Sequence, residues 1–174
     1  MKKFVFALAL TALSLTSVPQ AATAFDNTEH PLGAGLELGY PNALTVKYYL
    51  AEDMAVQAGI GLPGFLRTGL MGTMDFIFEL RDIVNADVDE FSFFPYIGVG
   101  GKAFFWYNCR WFNNCGSVTQ VGGRVPVGLG MHLADEPIEI AFQVAPGFAI
   151  RNYYYQDPRF RITLDVNLAL RYYF

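Results

Sequence analysis

The last residues of the chain, 161–174, read RITLDVNLALRYYF and alternate between two kinds of side chain. Every second residue is apolar, and the set is Ile162, Leu164, Val166, Leu168, Leu170, Tyr172 and Phe174. Because successive side chains point to opposite faces of a β-strand, the pattern predicts one long strand with an apolar face. Ordinary strands have about five or six residues. This stretch is about fourteen residues long and ends on the aromatic Phe174. Together these features indicate one strand of a closed barrel in a bacterial outer membrane.

The first residues have the three parts of a secretory signal. Lys2 and Lys3 form the positive start, residues 4–18 the apolar stretch, and Ala22-Thr23-Ala24 an A-x-A cleavage site. The alternative is a transmembrane helix, but the stretch is shorter than the roughly 20 residues that span a bilayer, and no basic stop-transfer flank follows. We therefore predict a signal peptide at residues 1–24 and a barrel domain at residues 25–174.

Composition supports a barrel over other membrane and soluble classes. The chain is 53% apolar and 16% charged, yet no later segment offers about 18 consecutive apolar residues. A helical inner-membrane protein is therefore excluded, and a soluble domain of this composition would be unusually apolar. The formal net charge of −4 becomes −6 once Lys2 and Lys3 are removed, so nucleic-acid binding has no electrostatic footprint.

The mature sequence divides into eight alternating segments separated by turn signals. The predicted strands are residues 32–40, 44–50, 54–62, 69–81, 91–107, 120–134, 138–151 and 161–174. The links after the second, fourth and sixth strands are acidic and mostly short, whereas those after the third, fifth and seventh are longer and more aromatic. Short periplasmic turns and long external loops are typical of bacterial barrels. The predicted fold class is all-β, an eight-stranded antiparallel up-and-down transmembrane β-barrel.

Alternation alone does not say which face points outward. A soluble lipocalin-like barrel would have its apolar face inside. Here the second face carries mostly Gly, Ala and Thr with isolated charges, which suits a small lumen better than a water-exposed surface. Aromatic residues also cluster near the strand ends, as in the girdles of membrane barrels. We therefore expect the apolar face to contact lipid.

Particular motifs resemble known proteins. The closing RYYF, with Tyr172 and Phe174, resembles the carboxy-terminal signal read by the barrel-assembly machinery. The chain as a whole resembles the small outer-membrane barrels of the outer-membrane protein A and X type. The segments LGYPNALTVKYYL (38–50), PYIGVGG (95–101), GGRVPVGLG (122–130) and IEIAFQVAPG (138–147) resemble an uncharacterised family of small outer-membrane barrels. The resemblance implies the fold and carries no catalytic residues.

The face opposite the apolar one carries charges of both signs. The predicted lumen residues are Glu37, Lys47, Gln57, Asp75, Glu79, Arg81, Lys102, Arg124, Glu139, Gln143, Arg161, Asp165 and Arg171. Unpaired buried charges are costly, so we expect these charges to form a paired network. One interpretation is a polar plug, which the narrow interior of an eight-stranded barrel favours. The alternative is a narrow channel or a small-ligand transporter.

Cys109 and Cys115 enclose RWFNN in the third external loop, predicted at residues 108–119. In an oxidising compartment, two cysteines this close predict a disulfide. The loop would present Arg110, Trp111 and Phe112 as surface-binding candidates; the alternative is an interfacial aromatic belt with a covalent staple. A metal site needs more ligands than this loop offers, and we predict no metal or cofactor.

The remaining residues favour a non-enzymatic role. His30 and His132 are the two histidines, and neither is predicted near the external rim, so we predict no enzyme. The external arginines Arg67, Arg110, Arg151 and Arg159 suit lipopolysaccharide phosphates, or are solvated loop charges. We expect a monomer that contacts outer-membrane lipid, lipopolysaccharide and the assembly machinery, and has a structural or surface-interaction role.

Overall fold

Ten antiparallel strands lie in the residues that the computed structural model describes. These residues are 30–62, 69–81, 86–88, 91–110, 114–133, 136–153 and 156–174. The strands are β1 (Leu32–Tyr40), β2 (Asn42–Ala51), β3 (Met54–Leu62), β4 (Gly69–Glu79), β5 (Ala86–Val88), β6 (Phe91–Arg110), β7 (Asn114–Arg124), β8 (Val127–Leu133), β9 (Ile138–Tyr153) and β10 (Gln156–Tyr173). Within these ranges, no helix is long and apolar enough to cross a membrane. The predicted signal peptide, residues 1–24, lies outside them.

Backbone hydrogen bonding closes the strands into a ring. β1 pairs with β2 on one side and with β10 on the other. If paired residues are followed once around the ring from Gly35, the path reaches β10 at Arg161, whereas Gly35 itself pairs with Arg171. This displacement along β10 is the stagger that tilted strands require when a sheet closes into a barrel.

β7 and β8 together form one strand of the barrel wall. Both lie between β6 and β9, and the pairing register continues from one to the other without a shift. The interruption falls at Pro126, which has no N–H to donate to a ladder. Val125 N donates to Pro146 O at 2.9 Å, and Gly98 N donates to Pro126 O at 2.7 Å. Because β5 pairs with β6 alone, the described wall has eight strands, and the predicted fold class is confirmed.

The strand boundaries differ from the prediction mainly at the end that the sequence analysis predicts to be external. β6 continues to Arg110 and β7 begins at Asn114, so most of the predicted loop at 108–119 is a paired hairpin. β9 and β10 likewise continue into the predicted link at 152–160. The alternation of apolar and polar residues stops in these segments of the sequence, whereas the backbone pairing continues. The sequence pattern therefore underestimates the length of these strands.

Two smaller differences lie at the opposite end. β4 ends at Glu79 instead of residue 81, and the predicted acidic link at 82–90 contains β5. β5 extends the hairpin through Asp87, which pairs with Ser92 on β6. Three residues are too few to show a period-two pattern, so alternation does not predict a strand there.

Most large apolar side chains point away from the barrel, and most polar side chains at mid-height point into it. On β10, Leu168 and Leu170 are 48% and 54% exposed, whereas Asn167 and Arg171, which flank this pair, are each 2% exposed. β2 alternates in the same way. The arrangement is the inverse of a water-soluble barrel and matches barrels whose outer face contacts lipid.

Candidate functional site

The buried charges of the interior form two clusters at different heights. The lower cluster, nearer the end where β1 begins and β10 ends, contains Glu37, Lys47, Glu79, Arg81, Glu139 and Arg171. The upper cluster contains Asp75, Lys102, Arg124 and Asp165. Three acids meet three bases in the lower cluster, and two meet two in the upper cluster. Each cluster is therefore electrically neutral.

Ion pairs of the lower cluster reach across the barrel. Lys47 Nζ on β2 lies 2.6 Å from Glu79 Oε1 on β4 and 2.8 Å from Glu139 Oε2 on β9. Arg171 on β10 contacts Glu139 and lies 3.0 Å from Glu37 Oε1 on β1. Arg81 lies 2.7 Å from Glu79. Because most members have two partners of opposite charge, the cluster is multiply connected.

Aromatic side chains complete the lower end of the interior. Tyr49 OH donates to Glu79 Oε1 at 2.7 Å, and Tyr173 OH donates to Glu139 Oε2 at 2.5 Å. The His132 ring stacks on Phe94 with centroids 4.8 Å apart, and its Nε2 lies 3.3 Å from Tyr49 OH. The phenol hydroxyls satisfy carboxylate oxygens that water would otherwise solvate, which lowers the cost of burying the charges.

Glycines on neighbouring strands make room for three inward aromatic rings. The cross-strand pairs are Phe94 with Gly130, Tyr96 with Gly128, and Tyr173 with Gly33. A Cβ on Gly130 would lie 2.2 Å from a Phe94 ring carbon. The alternation pattern did not identify these rings as a group. In the sequence, the signal for such a ring is an aromatic residue at an inward-facing position of one strand that pairs with a glycine of the next strand.

The upper cluster is more sparsely connected. Lys102 Nζ lies 2.7 Å from both carboxylate oxygens of Asp165. Arg124 Nε donates to Asp75 Oδ1 at 2.8 Å, and a second contact joins Arg124 Nη2 to Asp75 Oδ2. Arg124 Nη1 also lies 3.5 Å from Asp165. Among the described residues, Asp165 is the only acid within ion-pair distance of Lys102.

An aromatic pair lies above the upper cluster. The Tyr40 ring, from the end of β1, stacks with Phe104 of β6 at a centroid distance of 6.4 Å. Phe104 is 2% exposed, and Lys102 Nζ lies 5.9 Å from its ring centre. The two rings thus lie over the upper cluster at this end of the lumen, a contact that the alternation pattern did not predict.

Other predicted lumen residues divide into two groups. Gln57 Nε2 donates to Glu37 Oε1 at 2.9 Å and lies 3.5 Å from Gln143 Oε1, so both glutamines join the interior. Arg161 does not: it is exposed and takes part in neither cluster. The assignment of Arg161 to the lumen network was wrong. Its place in the alternation is an inward one, but it lies on β10 above the level at which side chains of the interior are buried.

The remaining predicted sites belong to the closing motif and to the segment with the two cysteines. Tyr172 and Phe174 point outward, with ring centroids 5.1 Å apart. Cys109 pairs in register with Cys115, so the two cysteines lie on facing strands and not in a loop. Their side chains, that of Arg110, and residues 111 and 112, predicted as surface-binding candidates Trp111 and Phe112, fall outside the described residues. Within the described part of the chain, no cluster of His, Cys, Asp and Glu could hold a metal ion.

Comparisons with known proteins bear on the fold alone. No family model matches the sequence, and neither does any curated protein. The crystal structure of the N-terminal β-barrel domain of Pseudomonas aeruginosa OprF is similar, with a TM-score of 0.53 and 12% identity, over 82% of this chain and 95% of that chain. The resemblance of the sequence motifs to an uncharacterised barrel family stays a prediction. The chain has the fold of an outer-membrane β-barrel domain.

Proposed function

We propose that the chain is a bacterial outer-membrane protein with a lumen closed by paired charges, and with a structural or surface-interaction role. The proposed location rests on the signal sequence at residues 1–24, the apolar outward face and the closing RYYF. Secretion through the inner membrane and delivery to the barrel-assembly machinery follow from the same features. The proposal includes no cofactor and no enzymatic activity.

The observation that carries the proposal is the cross-lumen pairing. Lys47 on β2 meets Glu139 on β9, and Lys102 on β6 meets Asp165 on β10. These bridges join strands that are not neighbours, so they cross the space that a permeating ion would need. An ion that displaced a bridge would leave a buried charge without its partner, which costs about 3–5 kcal/mol. Two neutral clusters in series therefore act as a plug.

A second candidate is a narrow channel or small-ligand transporter. It is favoured by buried polar atoms without a hydrogen-bond partner in the described interior, among them both amide atoms of Asn167, Gln143 Nε2 and Glu37 Oε2. Such atoms are normally satisfied by internal water. A continuous file of water along them would open a path beside the ion pairs.

Surface contacts are proposed at the external end. The register sets Cys109 opposite Cys115, and directly opposed residues have Cα atoms about 4.5–5.5 Å apart, which is within the range for a disulfide. A disulfide there would staple the β6–β7 hairpin and hold Arg110, Trp111 and Phe112 at the cell surface. Arginines of this rim are suited to lipopolysaccharide phosphates, and the proposed state is a monomer in lipid.

The test is single-channel conductance of the refolded mature protein in a planar bilayer. A gel shift on boiling first establishes that the barrel is folded. We expect a silent bilayer with wild type and with the control variant Glu136→Gln, whose side chain is exposed. Stable discrete openings that change when Arg124→Gln or Glu79→Gln is introduced would overturn the plug and support the channel.

A further inference from the structure

The barrel wall is uneven at its external end. β1 ends at Tyr40, whose partner on β10 is Val166, and the chain then turns through Pro41 into β2. β10 extends beyond Val166, and from Arg159 to Tyr172 it pairs with β9 in an unbroken register. Above Val166, β10 therefore has a strand on one side and no described strand on the other.

Backbone groups along this edge are unpaired within the described residues. At the β1–β10 seam, Phe174 N donates to Leu32 O at 2.9 Å, so even-numbered residues of β10 direct their N–H and C=O groups away from β9. Antiparallel pairing alternates regularly. Phe160, Ile162 and Leu164 therefore direct three N–H and three C=O groups to the open edge. Such an edge is a template for another strand.

Side chains along the edge have two different characters. Arg159 and Arg161 lie on the inward parity and are exposed, and Arg159 sits directly opposite Arg151 of β9. Like charges that face each other across a strand pair are destabilising. On the outward parity, Phe160 is 67% exposed and Ile162 85% exposed. The edge thus combines a basic face with an apolar face.

We propose that the β10 edge from Arg159 to Leu164 binds an extended segment of a partner protein as an added strand, with acidic residues on the arginine face alternating with apolar residues on the other. Strand addition satisfies the open N–H and C=O groups, and alternate side chains supply specificity. A second copy of β10 is a poorer occupant, because it would bring more arginines to the same face. This inference goes beyond the proposed structural or surface role and does not depend on the plug.

The binding test uses the refolded full-length mature chain. The probe is a labelled peptide of about eight residues that alternates glutamate and valine, and the matched peptide alternates lysine and valine. We expect saturable binding by fluorescence anisotropy, with the glutamate peptide at least about tenfold tighter at low salt. We also expect slowed hydrogen exchange at the amides of Phe160, Ile162 and Leu164. Absence of saturable binding by the glutamate peptide would overturn the proposal.

Two substitutions separate strand addition from general charge attraction. Ile162→Pro removes one edge N–H, at a position where an edge strand tolerates proline, and Ile162→Ala keeps that N–H. We expect about tenfold or greater loss of binding for the proline variant and less than about threefold for alanine, with both barrels folded by gel shift. Arg161→Glu should reverse the preference toward the lysine peptide.

Three further outcomes would overturn the proposal. Equal binding by the Ile162→Pro and Ile162→Ala variants would mean that the edge is not used. Protection of the same three amides by lipopolysaccharide vesicles without peptide would identify lipid as the occupant. A concentration-dependent dimer that Ile162→Pro abolishes would identify a second copy of this chain.

Discussion

The lower and upper clusters solve the same problem, the burial of charge, in different ways. In the lower cluster, Lys47, Glu79, Glu139 and Arg171 each have two partners of opposite charge. In the upper cluster, Lys102 depends on Asp165. Removal of Glu37 or Glu139 therefore leaves each lower cation with a carboxylate partner. Removal of Asp165 in the upper cluster leaves the buried Lys102 ammonium without one. Tolerance to substitution should follow the number of alternative partners more closely than the number of buried charges.

The largest expected effect is at Asp165. Asp165→Asn leaves Lys102 buried without a carboxylate, and we expect the free energy of unfolding to fall by about 3–5 kcal/mol. Urea unfolding of the protein refolded in lipid, followed by tryptophan fluorescence, measures this loss. The double variant with Lys102→Met also removes the unpaired ammonium. It should recover most of the lost stability, because removal of both charges of a buried pair is often nearly neutral. If the double variant were as unstable as Asp165→Asn, the loss of stability would not come from the unpaired Lys102.

A smaller effect is expected at Gly130, in the lower half. Gly130→Ala places a Cβ against the Phe94 ring, and overpacking of this kind costs about 1–3 kcal/mol. Gly72 provides the matched control, since a Cβ there would meet nothing within 4 Å. The same unfolding measurement applies to both variants. Equal stability of the two would show that the ring moves aside freely and that the lower end is not tightly packed.

Glu37 tests the proposed redundancy directly. Glu37→Gln removes one partner of Arg171, which keeps Glu139, so we expect a loss of about 1 kcal/mol. The comparison with Asp165→Asn is matched, because each variant replaces one buried carboxylate by an amide. If the two losses were equal, alternative partners would not buffer the lower cluster.

The smallest effect on stability is expected at the terminal residue. Phe174 is 62% exposed on the outward face, so Phe174→Ala should change the free energy of unfolding by less than about 1 kcal/mol. The yield of folded protein in the outer membrane of cells should nevertheless fall, because the closing motif is the proposed assembly signal. Leu168→Ala, on the same face away from the terminus, serves as the control. Normal yield of the Phe174 variant would contradict the signal.

Alternation, together with the small and charged residues of the second face and the aromatic residues near the strand ends, was sufficient to predict the fold and the face on which most side chains lie. It separated Lys47 and Arg171 from their apolar neighbours, and the structure buries both. Alternation does not specify, however, how far along the barrel axis a residue lies. Arg161 shares the parity of Asp165 but lies exposed above it, and that height follows from the stagger of the closed ring. No single strand contains that information.

Contacts across the lumen could also not be predicted from the sequence. The stacking of Tyr40 on Phe104 joins β1 to β6, and these strands are not neighbours in the ring. Which residues meet there depends on barrel diameter and register together. Likewise, the external reach of β9 and β10 depends on backbone pairing, which continues where the apolar pattern has stopped.

The seam between β1 and β10 has a kinetic consequence. It joins residues 33–40 to residues 166–173, so the pairing that completes the ring links the two most distant parts of the described chain. Pairings of such large sequence separation form slowly. Until the last strand is in place, the growing sheet has two open margins, at β1 and at its most recent strand, and both can capture foreign strands. Closure of the ring should therefore be a late and slow step of folding. A chain that lacks β10 should accumulate as an aggregation-prone open sheet.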